Sequence, residues 1–104
     1  MAQYLYRIQP TRHAMLTEGA TEHEDTKVSE HFNYLKALTE QGIVILAGRT
    51  LTTDMDGMGI IIFNADSDEA AQTVVDSDPA VAAGVFSARL FPYRIALFNA
   101  ASVR

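Results

Sequence analysis

The stretch Asp78-Pro79-Ala80-Val81-Ala82-Ala83-Gly84-Val85 constrains the chain most, because it packs a helix start, a break and the entry to a strand into one short run. An aspartate before a proline opens a helix: the carboxylate accepts from free backbone N–H groups, and proline suits the first helical position. Gly84 then lets the chain reverse, since glycine enters positive φ without a steric penalty. Phe86 to Pro92 carries on as the start of a strand. The residues upstream must therefore supply a surface for this segment to close.

That surface is legible in order. Gln3–Gln9 reads as a strand stopped by Pro10, with apolar groups on both faces and Arg7 between them. Thr11–Thr26 is polar and reads as a long loop with a helical start after Thr21 or Thr26. From Lys27 to Gln41, Val28, His31, Phe32, Leu35 and Leu38 recur at spacings of three and four, which predicts a helix with one inward stripe ended by Gly42. Ile43–Ala47 is a continuous apolar run suited to a strand covered on both sides. Asp54-Met55-Asp56-Gly57 is turn chemistry, and Gly59–Phe63 is a second apolar strand, so the two runs make a hairpin. Asp66 or Ser67 caps a short second helix, with Ala70, Ala71, Val74 and Val75 inward. Val85–Phe98 closes the chain as a strand interrupted at Pro92, and Asn99–Arg104 is a tail.

Strand, helix, strand, strand, helix, strand is the split βαβ order of ferredoxin-like α+β domains, an antiparallel sheet with helices on one face. The 104 residues make one domain, 1–104, with a core over about 3–98. Strands apolar on both faces predict that a second copy covers the free sheet face, giving a homodimer. A net charge of −5 argues against nucleic acid and anionic membrane as partners. No apolar run reaches membrane-spanning length, and Met1–Arg7 lacks the form of a signal peptide. The absence of cysteine excludes disulfides, thiolate catalysis and Cys–zinc sites, and a reducing cytoplasm is the expected compartment.

The generic motifs fail. His23-Glu24-Asp25-Thr26-Lys27 begins like a zinc-protease motif but has Lys27 where the second histidine must stand. Asp54, Asp56 and Gly57 resemble part of a calcium loop, yet Phe63 occupies the position that needs a glutamate. Gly57-Met58-Gly59 lacks the third glycine of a dinucleotide site and leads into a strand. His13, His23 and His31 lack ligand spacing, so no metal and no cofactor is expected. His31 falls on the inward stripe, either as a core histidine bonded to a carbonyl or as an acid–base group. Asp78 has a complete account as a helix cap. Arg7, Arg49 and Arg89 sit in strands, either exposed or holding an anionic ligand.

Glu30-His31-Phe32-Asn33-Tyr34-Leu35, Gly42-Ile43-Val44-Ile45-Leu46-Ala47-Gly48, Asp56-Gly57-Met58-Gly59, Ser67-Asp68-Glu69-Ala70-Ala71, the Asp78–Val85 run and Phe91-Pro92-Tyr93 together resemble the YciI-like family over about residues 3–98. The resemblance implies a ferredoxin-like fold pairing as a dimeric α/β barrel, with a His–Asp pair in a pocket; on this chain the pair is His31 and Asp78. The sequence departs from the family in places: Phe32 follows the histidine where leucine is usual, the arginine often found just upstream of it has no exact counterpart, Arg49 follows Ala47-Gly48 where proline is common, and Thr11–Thr26 is longer and more acidic than is typical. Family members with a known reaction include a dehydrochlorinase of chlorinated hydroxyquinols, and similar barrels include muconolactone isomerases. The expected function is therefore a small enzyme of lyase or isomerase type, moving protons on a small oxygenated ring or lactone. His31 is the acid–base group, Asp78 its orienting partner, and Arg7 and Arg49 are substrate-binding candidates. The alternative is a non-catalytic small-ligand-binding or accessory module with the same pocket.

Overall fold

The computed structural model describes residues 2–102; Met1, Val103 and Arg104, and with them the ends of the expected 1–104 unit and of the tail, lie outside the described residues. The elements are β1 (Ala2–Pro10), α1 (Ala14–Thr17), α2 (Glu22–Glu40), β2 (Val44–Arg49), β3 (Gly59–Ala65), α3 (Asp68–Asp76), α4 (Pro79–Ala82) and β4 (Phe86–Tyr93), followed by a 3-10 turn (Ala100–Ser102). The strands form one sheet in the order β2-β3-β1-β4, with every neighbouring pair antiparallel. Leaving aside the single-turn helices, this is the ferredoxin-like βαββαβ fold: each helix crossover skips one strand, which the other half supplies.

Alternation along the strands decides which face is core. Tyr4, Tyr6 and Ile8 of β1 turn towards the helices with Ile61, Phe63 and Ala65 of β3, and Leu35, Ala71 and Val75 close over them. Full burial of side chains such as Ile61 and Phe63 contributes about 1.5–3 kcal/mol each. Leu5, Arg7, Ile60, Ile62, Arg89 and Phe91 take the opposite face, in register across β3, β1 and β4.

Several expectations are revised. The Thr11–Thr26 segment is not one loop. It holds α1, which was not expected, and of the two helix starts expected the one after Thr21 is realised: α2 begins at Glu22 because Thr21 and Glu24 form a reciprocal capping box. Ser67, rather than Asp66, caps α3 by accepting from the Ala70 N–H. β2 is an edge strand and mostly exposed along its length, not covered on both sides. Its pairing with β3 slips between Val44 and Leu46, a bulge at Ile45. The final strand stops at Tyr93 because β1, its partner, begins at Ala2; beyond it the Ile95 N–H is taken by the Gln3 side chain. Phe32 leaves the inward stripe and is 65% exposed.

The Glu24 carboxylate also accepts from Arg12 at 2.6 and 3.0 Å, tying the α1 segment to α2. That hydrogen bond, then the Thr21 N–H, pulls its pKa from 4.5 down to about 2. A lowered acid pKa contributes stability that is present above pH 4.5 and lost as pH falls towards 2. The urea midpoint of the wild type should therefore exceed that of Glu24→Gln at pH 7, with the gap closing across that window. A gap unchanged at pH 2 would contradict this linkage.

Candidate functional site

The Asp78–Val85 run builds the centre of the site. Pro79 starts α4, Asp78 is its N-cap, and Gly84 at φ +76° turns the chain into β4. Asp78 is fully buried, and its two oxygens divide the work. Oδ1 accepts from the Ala80 N–H at 3.0 Å, and Oδ2 accepts from His31 Nδ1 at 2.6 Å. The cap and the histidine partner are thus the same residue at once.

Oδ2 has a second donor, the Tyr6 hydroxyl at 2.8 Å. Burial pushes the Asp78 carboxyl up. The hydrogen bond and charge of His31, the Tyr6 hydroxyl and the Ala80 N–H outweigh it and hold the group below the usual carboxylate value. A carboxylate at Nδ1 requires the proton on that nitrogen, so in the neutral ring the lone pair sits on Nε2. No side-chain nitrogen or oxygen among the described residues is both buried and unpartnered, and Nε2 makes no hydrogen bond, so it is open. It opens onto a cleft of about 780 Å³ that His31 lines together with Phe32, Arg49, Met58, Ile61 and Phe86. The His31 side chain keeps only 12% of its exposure, and its ring stands edge-on to Phe86 at 5.2 Å.

Arg49 reaches this cleft from the edge strand. It pairs with Gly59, which pairs with Ile8, so a row across three strands forms the floor. Gly59 is needed there, because a Cβ would stand 2.7 Å from Ile8 Cγ1. Among the described residues, the Arg49 guanidinium makes no hydrogen bond or ion pair. Arg7 is not brought to the cleft. It lies between Tyr6 and Ile8 on the opposite sheet face, directly across from Arg89, whose guanidinium lies over the Phe91 ring. No cluster of metal-ligating side chains occurs among the described residues.

Tyr6 was not singled out in the sequence, where it reads as one more strand-forming aromatic. The available signal was alternation: Tyr6 shares a face with Tyr4 and Ile8, and a buried tyrosine hydroxyl needs a partner. Tyr34 is a related case. Its hydroxyl donates to the Val74 carbonyl at 2.7 Å and fastens α2 to α3. Burial, then the charge of Asp78, pushes its pKa up to about 12.

A model of the YCII-related domain matches residues 3–92. Among solved structures, the chain is similar to the 5-chloro-2-hydroxyhydroquinone dehydrochlorinase of Burkholderia phenoliruptrix AC1100 in complex with 2,5-dihydroxybenzoquinone. The two share 20% identity at a TM-score of 0.62, over 88% of this chain and 93% of that one. At that identity the likeness speaks for the fold alone. The curated proteins contain no match. No helix among the described residues is long and apolar enough to cross a membrane.

Proposed function

Since the chain belongs to the YCII-related family, we propose that it is a cofactor-independent enzyme of lyase or isomerase type, acting on a small oxygenated ring or lactone-like compound. The observation that carries this reading is the open Nε2 of a histidine whose Nδ1 is held by a buried carboxylate, at the wall of an apolar cleft. An imidazole titrates near neutrality, so it both takes and returns a proton. His31 Nε2 takes a proton from a carbon beside a carbonyl, and the electron pair moves into the ring as an enolate. The enolate then expels a leaving group, or takes the proton back from the imidazolium at a neighbouring carbon. Asp78 keeps the ring oriented and stabilises the imidazolium. Arg49 stabilises the oxygen on which the charge develops. Arg7 has no part in this reading. The dehydrochlorinase with a similar fold, solved with a dihydroxybenzoquinone, supports a ring compound of this size and chemistry.

The reaction is tested by incubating the protein with small phenols, chlorinated hydroquinones and lactones, with His31→Ala as control. Turnover that the variant loses is expected. Binding in the cleft with no turnover across these classes would leave only a ligand-binding module.

The assembly is a homodimer formed through the sheet face away from the helices. That face carries Leu5, Ile60, Ile62 and Phe91 in register, and Leu46 of the edge strand is 43% exposed beside it. In the single chain Ile62 is buried and Leu5, Ile60 and Phe91 are half-buried, so a partner copy would cover what these three and Leu46 leave open to water. Light scattering at micromolar concentration should give twice the 11.4 kDa chain mass; the monomer mass would sink the assembly.

A further inference from the structure

Tyr6 is fully buried and takes no part in lining the cleft, so it does not touch a substrate. Its hydroxyl nevertheless ends on the same Asp78 oxygen that holds His31. The ring is locked. It stands edge-on to Phe63 at 5.8 Å, and its backbone pairs with Ile61 on one side and Leu90 on the other. Burial, then the charge of Asp78, raises the phenol pKa, so the group stays a neutral donor.

We infer that Tyr6 is a positioning residue that limits how tightly Asp78 holds the His31 imidazolium, by occupying half of the oxygen they share. The inference rests on the acid–base reading of His31 for its consequence in catalysis, but not for its geometry. Two donors to one oxygen weaken each other. When the imidazole is neutral, Oδ2 carries more uncompensated charge and the Tyr6 hydrogen bond is stronger. When the imidazole is charged, it draws on the same oxygen and the Tyr6 bond is weaker. Tyr6 therefore favours the neutral ring, the form that can act as a base. The other titratable groups near His31 act from further off. Tyr34 spends its hydroxyl on Val74, and Lys36, Glu40 and Arg49 line the cleft without contacting Asp78.

The test is an NMR titration of the His31 ring in the intact protein, comparing wild type with Tyr6→Phe. The substitution keeps the packed ring and leaves Asp78 Oδ2 with His31 as partner, so the fold should hold. The His31 midpoint should rise by about 0.5–1 unit, the scale of one hydrogen bond shared between two protonation states. Tyr34→Phe, which removes a buried hydroxyl from another acceptor, should leave it within error of wild type. If a substrate is found, the rising limb of the kcat/KM–pH profile should move with the NMR midpoint. An unchanged or lowered midpoint in Tyr6→Phe, or an equal rise in Tyr34→Phe, would overturn the inference. A raised midpoint in a protein that turns over none of the compounds above would uphold it and remove the enzyme reading alone.

Discussion

Asp78→Ala is expected to destabilise the fold by about 3–5 kcal/mol, because it removes the one acceptor of three donors at about 1–3 kcal/mol for each left buried and unpaired. The carboxylate is the common acceptor for Tyr6, His31 and the Ala80 N–H, which come from β1, α2 and the first turn of α4. Alanine leaves a buried phenol hydroxyl and a backbone N–H without partners, and takes the cap from a single-turn helix that has few other reasons to form. Domains of this kind are stable by only about 5–15 kcal/mol, so the loss is a large fraction of the total. Urea unfolding at pH 7 measures it. Asp78→Asn should lose less, because the amide oxygen can still cap, but it removes the negative charge at Nδ1. The His31 midpoint should then fall, and turnover with it. A loss under about 1 kcal/mol in the alanine variant, within the range of a simple exposed cap, would mean that the cap is all Asp78 provides.

His31→Ala is expected to lower kcat by about 10²–10⁴-fold with little change in KM, the range for removing a general acid–base group. The split follows from the site. His31 presents one open nitrogen to the cleft, whereas the cleft walls are made mostly by apolar side chains, with Lys36, Glu40 and Arg49 among them, so binding survives the loss of the ring. The ring is nearly buried, and its removal leaves a space beside Asp78 that free imidazole can enter. Added imidazole should therefore restore part of the rate in a saturable way. A variant that keeps wild-type kcat would remove His31 from the chemistry altogether.

Which parts of this site were legible in the sequence follows from how local each signal is. His31 could be placed because helical spacing with Leu35 and Leu38 forces it towards the sheet, and helical spacing is a property of neighbours in the chain. Asp78 could be placed because Pro79 marks a helix start. Their meeting needed the fold, and the ferredoxin-like order supplied it by laying both helices on one sheet face. Tyr6 was not legible as more than a strand residue, because its partner lies 72 positions away. The start of α2 reads from the sequence as following Thr21 or Thr26, and the capping box of Thr21 with Glu24 is what decides for the first. Phe32 misled for the opposite reason: its spacing fits the stripe, but the sheet edge below it is where the cleft opens, so nothing covers it.

The bulge at Ile45 has a consequence for parity. Val44 and Arg49 are an odd number of positions apart, and in a regular strand such residues face opposite ways. The extra residue reverses this: Val44 pairs with Phe63 and Arg49 with Gly59, both on the helix-bearing face. Arg49 is a cleft residue only because one residue in its strand is left uncounted. Were this strand to run regularly at unchanged length, the guanidinium would lie on the far side of the sheet, whereas deletion of Ile45 itself would leave Arg49 paired with Gly59 on the helix-bearing face. For this strand, a gap-free alignment column is no guide to function until the bulge itself has been aligned.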